Sequence, residues 1–135
     1  MIRRRFPDKV KALSMLSAAT NNITAVELLV GNDKAGGLII SAIYESFRML
    51  VDALLTAEGF ETSGKDHHAD MIGRLLKLHV TSDRPLLVID ELRKKRNNIN
   101  YEGYMPTPDE VKDAVSIKNS LWNSLLSEVM RLIEQ

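Results

Sequence analysis

The stretch "GGLIISAIYESFRMLVDALL", residues 36–55, is the longest apolar run in the chain. Its apolar positions recur with helical spacing, and Glu45, Arg48 and Asp52 interrupt the run. A membrane span needs about 20 mostly apolar residues, so these charges argue against one. A wide apolar face is typical of the central helix of a bundle. The stretch therefore predicts an all-α fold built around a helix over roughly 34–58.

The same helical period predicts four further helices along the chain. They are expected over residues 8–30, 67–80, 84–102 and 108–134. With short loops between them, the chain is predicted to fold as a single domain, residues 1–135, which is an all-α bundle of about five helices.

Capping residues set the expected ends of these helices. Asp8 is a candidate cap for the first helix, Gly59 ends the second, and Thr107 with Glu110 forms a capping box for the last. Ser82 or Asp83 is expected to cap the fourth helix, with Pro85 in its first turn.

The sequence pattern also predicts which segments lie at the surface and which side chains face the core. The segment "RRR" at 3–5 is expected to be a flexible, solvated end and "ETSGKD" at 61–66 a polar loop. The residues expected to face the core include Val30, Leu38, Leu76, Val80 and Trp122.

Composition excludes several classes of function. The chain has 135 residues and a formal net charge of zero, so no global positive field attracts nucleic acid and any anion site must be local. It has no cysteine, which excludes disulfides and thiolate chemistry. The N-terminus lacks the continuous apolar core of a signal peptide. We therefore expect a cytoplasmic protein with no membrane association and no cofactor.

The stretch "RKKRNNINYEGY", residues 93–104, combines cations with asparagines on the fourth predicted helix. With Leu92 as reference and about 100° per residue, Arg96 falls at about 40°, inside the apolar stripe. Arg93, Asn97 and Asn100 fall at about 80–140°, along the edge of that stripe. We call Arg93, Arg96, Asn97 and Asn100 the polar ridge.

Two interpretations of the polar ridge remain open from the residues alone. In the structural one, Arg96 extends its stem over the core, Asp90 pairs with Arg93, and Glu91 pairs with Lys95. In the functional one, the ridge binds an anion, since Arg offers a planar fork of donors suited to phosphate. A cation at the Arg96 position must be paired or face a cleft.

The segment "LRKKRNNINYEGY" resembles the Arg-Asn…Tyr pattern near the end of the fourth helix of HEPN domains. The helix "AIYESFRMLVDALLTAEGF" followed by "KDHHADMI" is similar to the family's long aromatic-bearing helix, its Gly-containing loop and the His that opens the next helix. The resemblance covers most of the chain. It implies a helical bundle that commonly forms a homodimer.

In ribonuclease members of this family, an Arg contacts the scissile phosphate and a His four to six residues later serves the proton transfers. The resemblance places Arg96 at the Arg, Asn97 at the polar residue after it, and Tyr101 at or just before the His position. The chain departs from the family here, because its last histidine is His79. Tyr101 would be a weak base, since the ordinary pKa of tyrosine is about 10.

The resemblance also implies partners and further site residues. His-less HEPN domains pair with a small MNT-type nucleotidyltransferase or bind nucleotide or RNA. In related toxin systems a Tyr near the motif receives a nucleotide, which makes Tyr101 and Tyr104 candidates. The ligand-binding set is then Arg93, Arg96, Asn97, Asn100 and Tyr104, and the catalytic candidates are Arg96 and Tyr101.

The remaining polar groups have structural roles by their spacing. His67 and His68 point to different sides of a helix, so we expect no metal site there. His79, between Leu78 and Val80, is expected to be a partly buried structural histidine. Glu45, Arg48 and Asp52 share one helical face and are expected to pair with each other or to reach Arg93 or Arg96.

Three functions from different classes follow. The first is a homodimeric HEPN-like module that binds nucleotide or RNA phosphate, as the partner of an MNT-type nucleotidyltransferase in a toxin–antitoxin pair. The second is a metal-independent endoribonuclease toxin in which another group replaces the missing His. The third is a bundle that serves only in assembly.

Overall fold

The computed structural model describes residues 2–62 and 67–135, and within them it confirms the all-α bundle. The five helices are α1 Lys9–Leu29, α2 Gly36–Glu58, α3 His67–Leu75, α4 Val88–Glu102 and α5 Pro108–Ile133. Two short strands, β1 Ile2–Arg4 and β2 Phe60–Thr62, accompany them. No helix in the described part of the chain is long and apolar enough to cross a membrane.

Helix α2 is the centre of the bundle, as its wide apolar face predicts. It packs against α1, α5 and α4, and less extensively against α3. Tyr44, Phe47 and Leu50 on this helix are fully buried. The ring of Phe47 packs edge to face on that of Trp122 from α5, with the ring centres 5.4 Å apart. The face is therefore covered by helices of the same chain, and its width gives no argument for a second copy.

Three predicted helix ends are confirmed. The Asp8 carboxylate accepts a hydrogen bond from the backbone N–H of Lys11 at the start of α1. Gly59 ends α2 in the left-handed conformation with φ of 84°. Thr107 and Glu110 form the reciprocal capping box of α5.

The third and fourth helices are shorter than predicted. Helix α3 ends at Leu75 instead of residue 80, and α4 begins at Val88 instead of residue 84. The chain enters α4 through a tight turn, because Val88 and Ile89 donate to carbonyls only three residues back, at Pro85 and Leu86. Ser82 does not cap α4; its hydroxyl accepts from the backbone N–H of Arg84 in a local turn.

The segment at 3–5 is not the free end that the sequence suggested. Strand β1 pairs antiparallel with β2, with Arg3 opposite Glu61 and Arg4 opposite Phe60. The Arg5 guanidinium then forms an ion pair with Glu61 at 2.5 Å. The predicted loop at 61–66 is strand at its first two residues, and residues 63–66 lie outside the described part of the chain.

Three residues assigned to the core are largely exposed. Leu38 is 66% exposed, Leu76 is 51% exposed and Val30 is 50% exposed. Val30 follows the last residue of α1 and Leu76 the last residue of α3, where the helical period no longer applies. Leu38 lies in the first turn of α2 beside the buried Ile39 and Ile40, so it occupies the outer side of a turn that the bundle covers on its inner side.

Replacement of Gly59 by alanine should destabilise the fold by about 1–3 kcal/mol, because a side chain is strained at this φ. A Cβ at Gly59 would also lie 2.7 Å from the carbonyl oxygen of Arg5. Gly31 has a φ of 94° but no atom within 4 Å of a built Cβ, so Gly31→Ala is the matched control. Urea denaturation should show the larger loss for Gly59→Ala, and equal losses would contradict the close approach of Arg5.

Candidate functional site

Arg96 is the buried member of the polar ridge. It is only 8% exposed, although its sequence neighbours Lys95 and Asn97 are polar. One terminal nitrogen lies 3.3 Å from Oε1 of Glu45 on α2. The guanidinium carbon is 4.9 Å from the centre of the Tyr44 ring and 5.9 Å from that of Tyr101. The predicted position of Arg96 within the apolar stripe is therefore correct, and both pairing and aromatic contact satisfy its charge.

Arg96 has a buried donor without a hydrogen bond. Its Nε is buried and has no hydrogen-bond partner in the described part of the chain. A buried donor without a partner costs about 1–3 kcal/mol, and such groups in native structures call for an explanation. The described residues therefore leave one buried N–H of the Arg96 guanidinium without an acceptor.

A chain of ion pairs follows the face of α2 beneath the ridge. Arg48 donates from Nε to Oε2 of Glu45 at 2.7 Å and from a terminal nitrogen to Asp52 at 2.8 Å. Nε2 of His67 lies 3.4 Å from the same Asp52 carboxylate. Burial raises the pKa of Asp52, although His67 and Arg48 act in the opposite direction. Both expected outcomes for this face are found: the charges pair with each other, and Glu45 reaches Arg96.

His68 joins the site from α3, which sequence reasoning missed. Its Nδ1 lies 2.6 Å from the hydroxyl of Tyr44, the residue whose ring lies under Arg96. Burial raises the pKa of Tyr44 to about 12 against the opposing charge of Arg96. Burial and then the charge of Arg96 lower the pKa of His68. The chain lacks a histidine after Arg96 in sequence, yet the fold places one near it.

The remaining ridge residues are half-buried or exposed. Arg93 donates to Asp90 at 2.7 Å, as the structural interpretation expects. The side-chain carbonyl of Asn100 accepts from the hydroxyl of Ser41 on α2 at 3.1 Å. Asn97 is half-buried on α4. The ridge is therefore partly tied to α2 and partly open.

The two candidate tyrosines differ in their surroundings. Tyr101 is 72% exposed, with its ring beside Arg96. Tyr104 lies beyond the end of α4, and its hydroxyl donates to Glu110 of the α5 capping box. That hydrogen bond raises the pKa of Tyr104. Of the two candidates, Tyr101 is thus the one whose ring lies beside Arg96.

Two expectations for neighbouring polar groups are wrong. His79 is exposed in the segment after α3, because that helix ends before it. Lys95 lies 3.8 Å from Asp113 of α5, and it is Lys94 that pairs with Glu91. Among residues 2–62 and 67–135, no group of three His, Asp or Glu side chains could hold a metal ion.

No family model, curated protein or solved structure matches this chain. The fold and the site together define an all-α bundle with an arginine-rich cluster where α2, α3 and α4 meet.

His68 should make the fold less stable in mild acid. Its pKa is lowered in the folded chain, so its contribution to stability is complete above the ordinary value near 6.5 and is lost as the pH falls through the folded value. His68→Gln should therefore lose less stability than the wild type between pH 7.5 and 5.5, by urea denaturation. Asp52, with a raised pKa, acts with the opposite sign and is common to both proteins.

His79→Gln is the matched control for this measurement, because His79 is an exposed histidine outside the cluster. It should retain the pH dependence of the wild type. Parallel stability curves for the wild type and His68→Gln would show that the imidazole is not held neutral by its surroundings.

Proposed function

We propose that the chain is a HEPN-like helical module that binds the phosphate of a nucleotide or of RNA at the polar ridge. The observation that carries the proposal is the Arg96 guanidinium, which lies beside the exposed ring of Tyr101 and is not fully paired by the described residues. A phosphate oxygen is a suitable acceptor for it, since arginine–phosphate hydrogen bonds are charge-assisted and directional.

The exposed ring of Tyr101 supports a nucleotide as the source of that phosphate. It lies beside the Arg96 guanidinium and is 72% exposed, so a base can reach its face. Stacking of a base on an aromatic ring contributes about 1–3 kcal/mol and does not depend strongly on sequence. Arg96 and Tyr101 thus offer neighbouring contacts for a phosphate and for a base.

The proposed partners rest on the family resemblance. They are a second copy of the chain in a homodimer and an MNT-type nucleotidyltransferase in a toxin–antitoxin pair. Of the two candidate tyrosines, Tyr101 is the more accessible for modification, because it is 72% exposed and Tyr104 is 43% exposed. The Tyr104 hydroxyl also has Glu110 as its partner.

A thermal-shift series tests phosphate binding. Sulfate or AMP should raise the melting temperature of the wild type, because a ligand that binds only the folded state stabilises it. Arg96→Ala should abolish the rise. Arg131→Ala is the matched control, since Arg131 pairs with Glu128 on α5, away from the ridge, and it should keep the rise.

The structural interpretation makes a different prediction for the same variant. Removal of one partner from a buried ion pair destabilises a fold by about 3–5 kcal/mol. If Arg96 only holds α4 to α2, the wild type should show no ligand response and Arg96→Ala should melt much earlier. That pair of results would contradict phosphate binding.

One observation favours a second candidate, the metal-independent endoribonuclease. The imidazole of His68 lies in the cluster that contains Arg96, although no histidine follows Arg96 in the chain. An RNA 2′-hydroxyl could attack the phosphorus while the bond to the 5′-oxygen breaks. The imidazole would take the hydroxyl proton and return it to the departing 5′-oxygen.

For this candidate we expect the wild type to cleave single-stranded RNA in the presence of EDTA. His68→Gln should reduce the rate by about 10²-fold or more, the usual contribution of general acid–base catalysis. His79→Gln should cleave like the wild type. Binding of RNA without cleavage would exclude the ribonuclease and leave the phosphate-binding proposal standing.

A further inference from the structure

Helix α1 carries no charge over most of its length. Residues 12–26, "ALSMLSAATNNITAV", include no Asp, Glu, Lys, Arg or His, whereas charged residues make up 27% of the whole chain. The helix packs mainly on α2, and its buried stripe consists of Ala12, Leu16, Ala19, Ile23 and Val26. A surface helix usually places charged residues on the side opposite such a stripe. The exposed side of α1 is uncharged instead, as the core of a protein interface is.

The exposed side of α1 has a large apolar residue at each end. Val10 is 82% exposed and Leu28 is 84% exposed. They are 18 residues apart, which is five full turns at 3.6 residues per turn, so both lie on one line along the helix. Four exposed, uncharged residues lie within about 40° of that line. Together these six residues form the α1 outer face: Val10, Ser14, Ser17, Asn21, Thr24 and Leu28.

The α1 outer face is complementary to a second copy of itself in the antiparallel direction. A two-fold interface brings the same patch of both subunits together. With the axis at the level of Ala19, the midpoint of α1, Val10 lies opposite Leu28 of the partner subunit, and Ser17 lies opposite Asn21 of the partner subunit. The large apolar residues then meet at both ends. The small residues between them allow the helix axes to approach to about 8 Å.

The charges that flank the α1 outer face determine the direction of pairing. Lys9 and Glu27 are exposed and share one edge of the face, because they too are 18 residues apart. Antiparallel pairing brings like edges together and sets Glu27 at a level about 3 Å from that of Lys9 of the partner subunit. Glu27 also pairs with Lys118 of its own chain at 3.3 Å, yet its side chain is 62% exposed. Parallel pairing would bring Lys9 beside Lys11 of the partner subunit, and these like charges disfavour it.

We infer that the α1 outer face is an interface of this protein and that its partner is the same face of a second copy, packed antiparallel at the level of Ala19. The homodimer suggested by the family resemblance has no assigned surface, whereas this interface is assigned from α1 alone. It includes no residue of the polar ridge, which lies on α4. The interface and phosphate binding are therefore independent of each other.

Sedimentation velocity over a range of protein concentrations tests the interface. The wild type should reach twice the chain mass of 15.2 kDa at tens of micromolar. Ser17→Glu places two carboxylates near the two-fold axis and should raise the Kd of the dimer by about tenfold or more. Ser127→Glu is the matched control, because Ser127 is an exposed serine on α5, and it should dimerise like the wild type. Ser17 is exposed, so the far-UV circular dichroism of Ser17→Glu should match that of the wild type.

Cysteine crosslinking tests the antiparallel direction, since the chain has no cysteine of its own. A mixture of Ser17→Cys and Asn21→Cys proteins, oxidised with glutathione disulfide, should form a crosslinked dimer faster than either protein alone. In the antiparallel pair, the two copies of position 17 are about 6 Å apart along the helix axis alone. That offset, added to the separation of the helices, takes them beyond the reach of a disulfide. A parallel pair would instead crosslink each variant with itself.

Each outcome bears on the inference. A wild type that stays monomeric at tens of micromolar would overturn it, as would a dimer that Ser17→Glu weakens no more than Ser127→Glu does. Crosslinking of either single variant as fast as the mixture would overturn the antiparallel arrangement. Failure of the wild type to bind sulfate or AMP would overturn the proposed function and leave the interface standing.

Discussion

The buried guanidinium of Arg96 on α4 is the constraint around which the polar residues between α2, α3 and α4 are arranged. Removing a charge from water costs several kcal/mol, and the cost is offset only by good pairing and further contacts. For Arg96, α2 supplies both, through the Glu45 carboxylate and the ring of Tyr44. Because these residues are adjacent in α2, the contact that satisfies the charge also fixes where α4 lies against the central helix.

Features that depend on local period could be read from the sequence. The five helices, the caps at Asp8 and Thr107, and the inward position of Arg96 follow from spacing along single segments. The pairing of Arg48 with its neighbours on α2 follows for the same reason, since residues three and four apart share a helical face. Each of these predictions required knowledge of one helix only.

Features that depend on packing between segments could not be read in this way. The pairing of β1 with β2 joins segments about 60 residues apart, and neither strand is long enough to show alternation. The contact of His68 with Tyr44, whose ring lies under Arg96, requires α3 to be placed against α2. The sequence held one signal of the His68 contact. Tyr44 lies on the apolar face of the central helix, and its hydroxyl needs a polar partner from a neighbouring helix.

The structural and functional interpretations of the ridge are not exclusive, because the same ion pairs serve both. Glu45 divides its two oxygens between Arg96 and Arg48, so Arg96 is held but not saturated, and its Nε keeps no partner among the described residues. If every donor were paired within the protein, no donor would remain for a ligand. A cluster of unpaired cations would instead destabilise the free protein, because like charges repel. A charge-balanced cluster that leaves one buried donor without a partner lies between these two extremes.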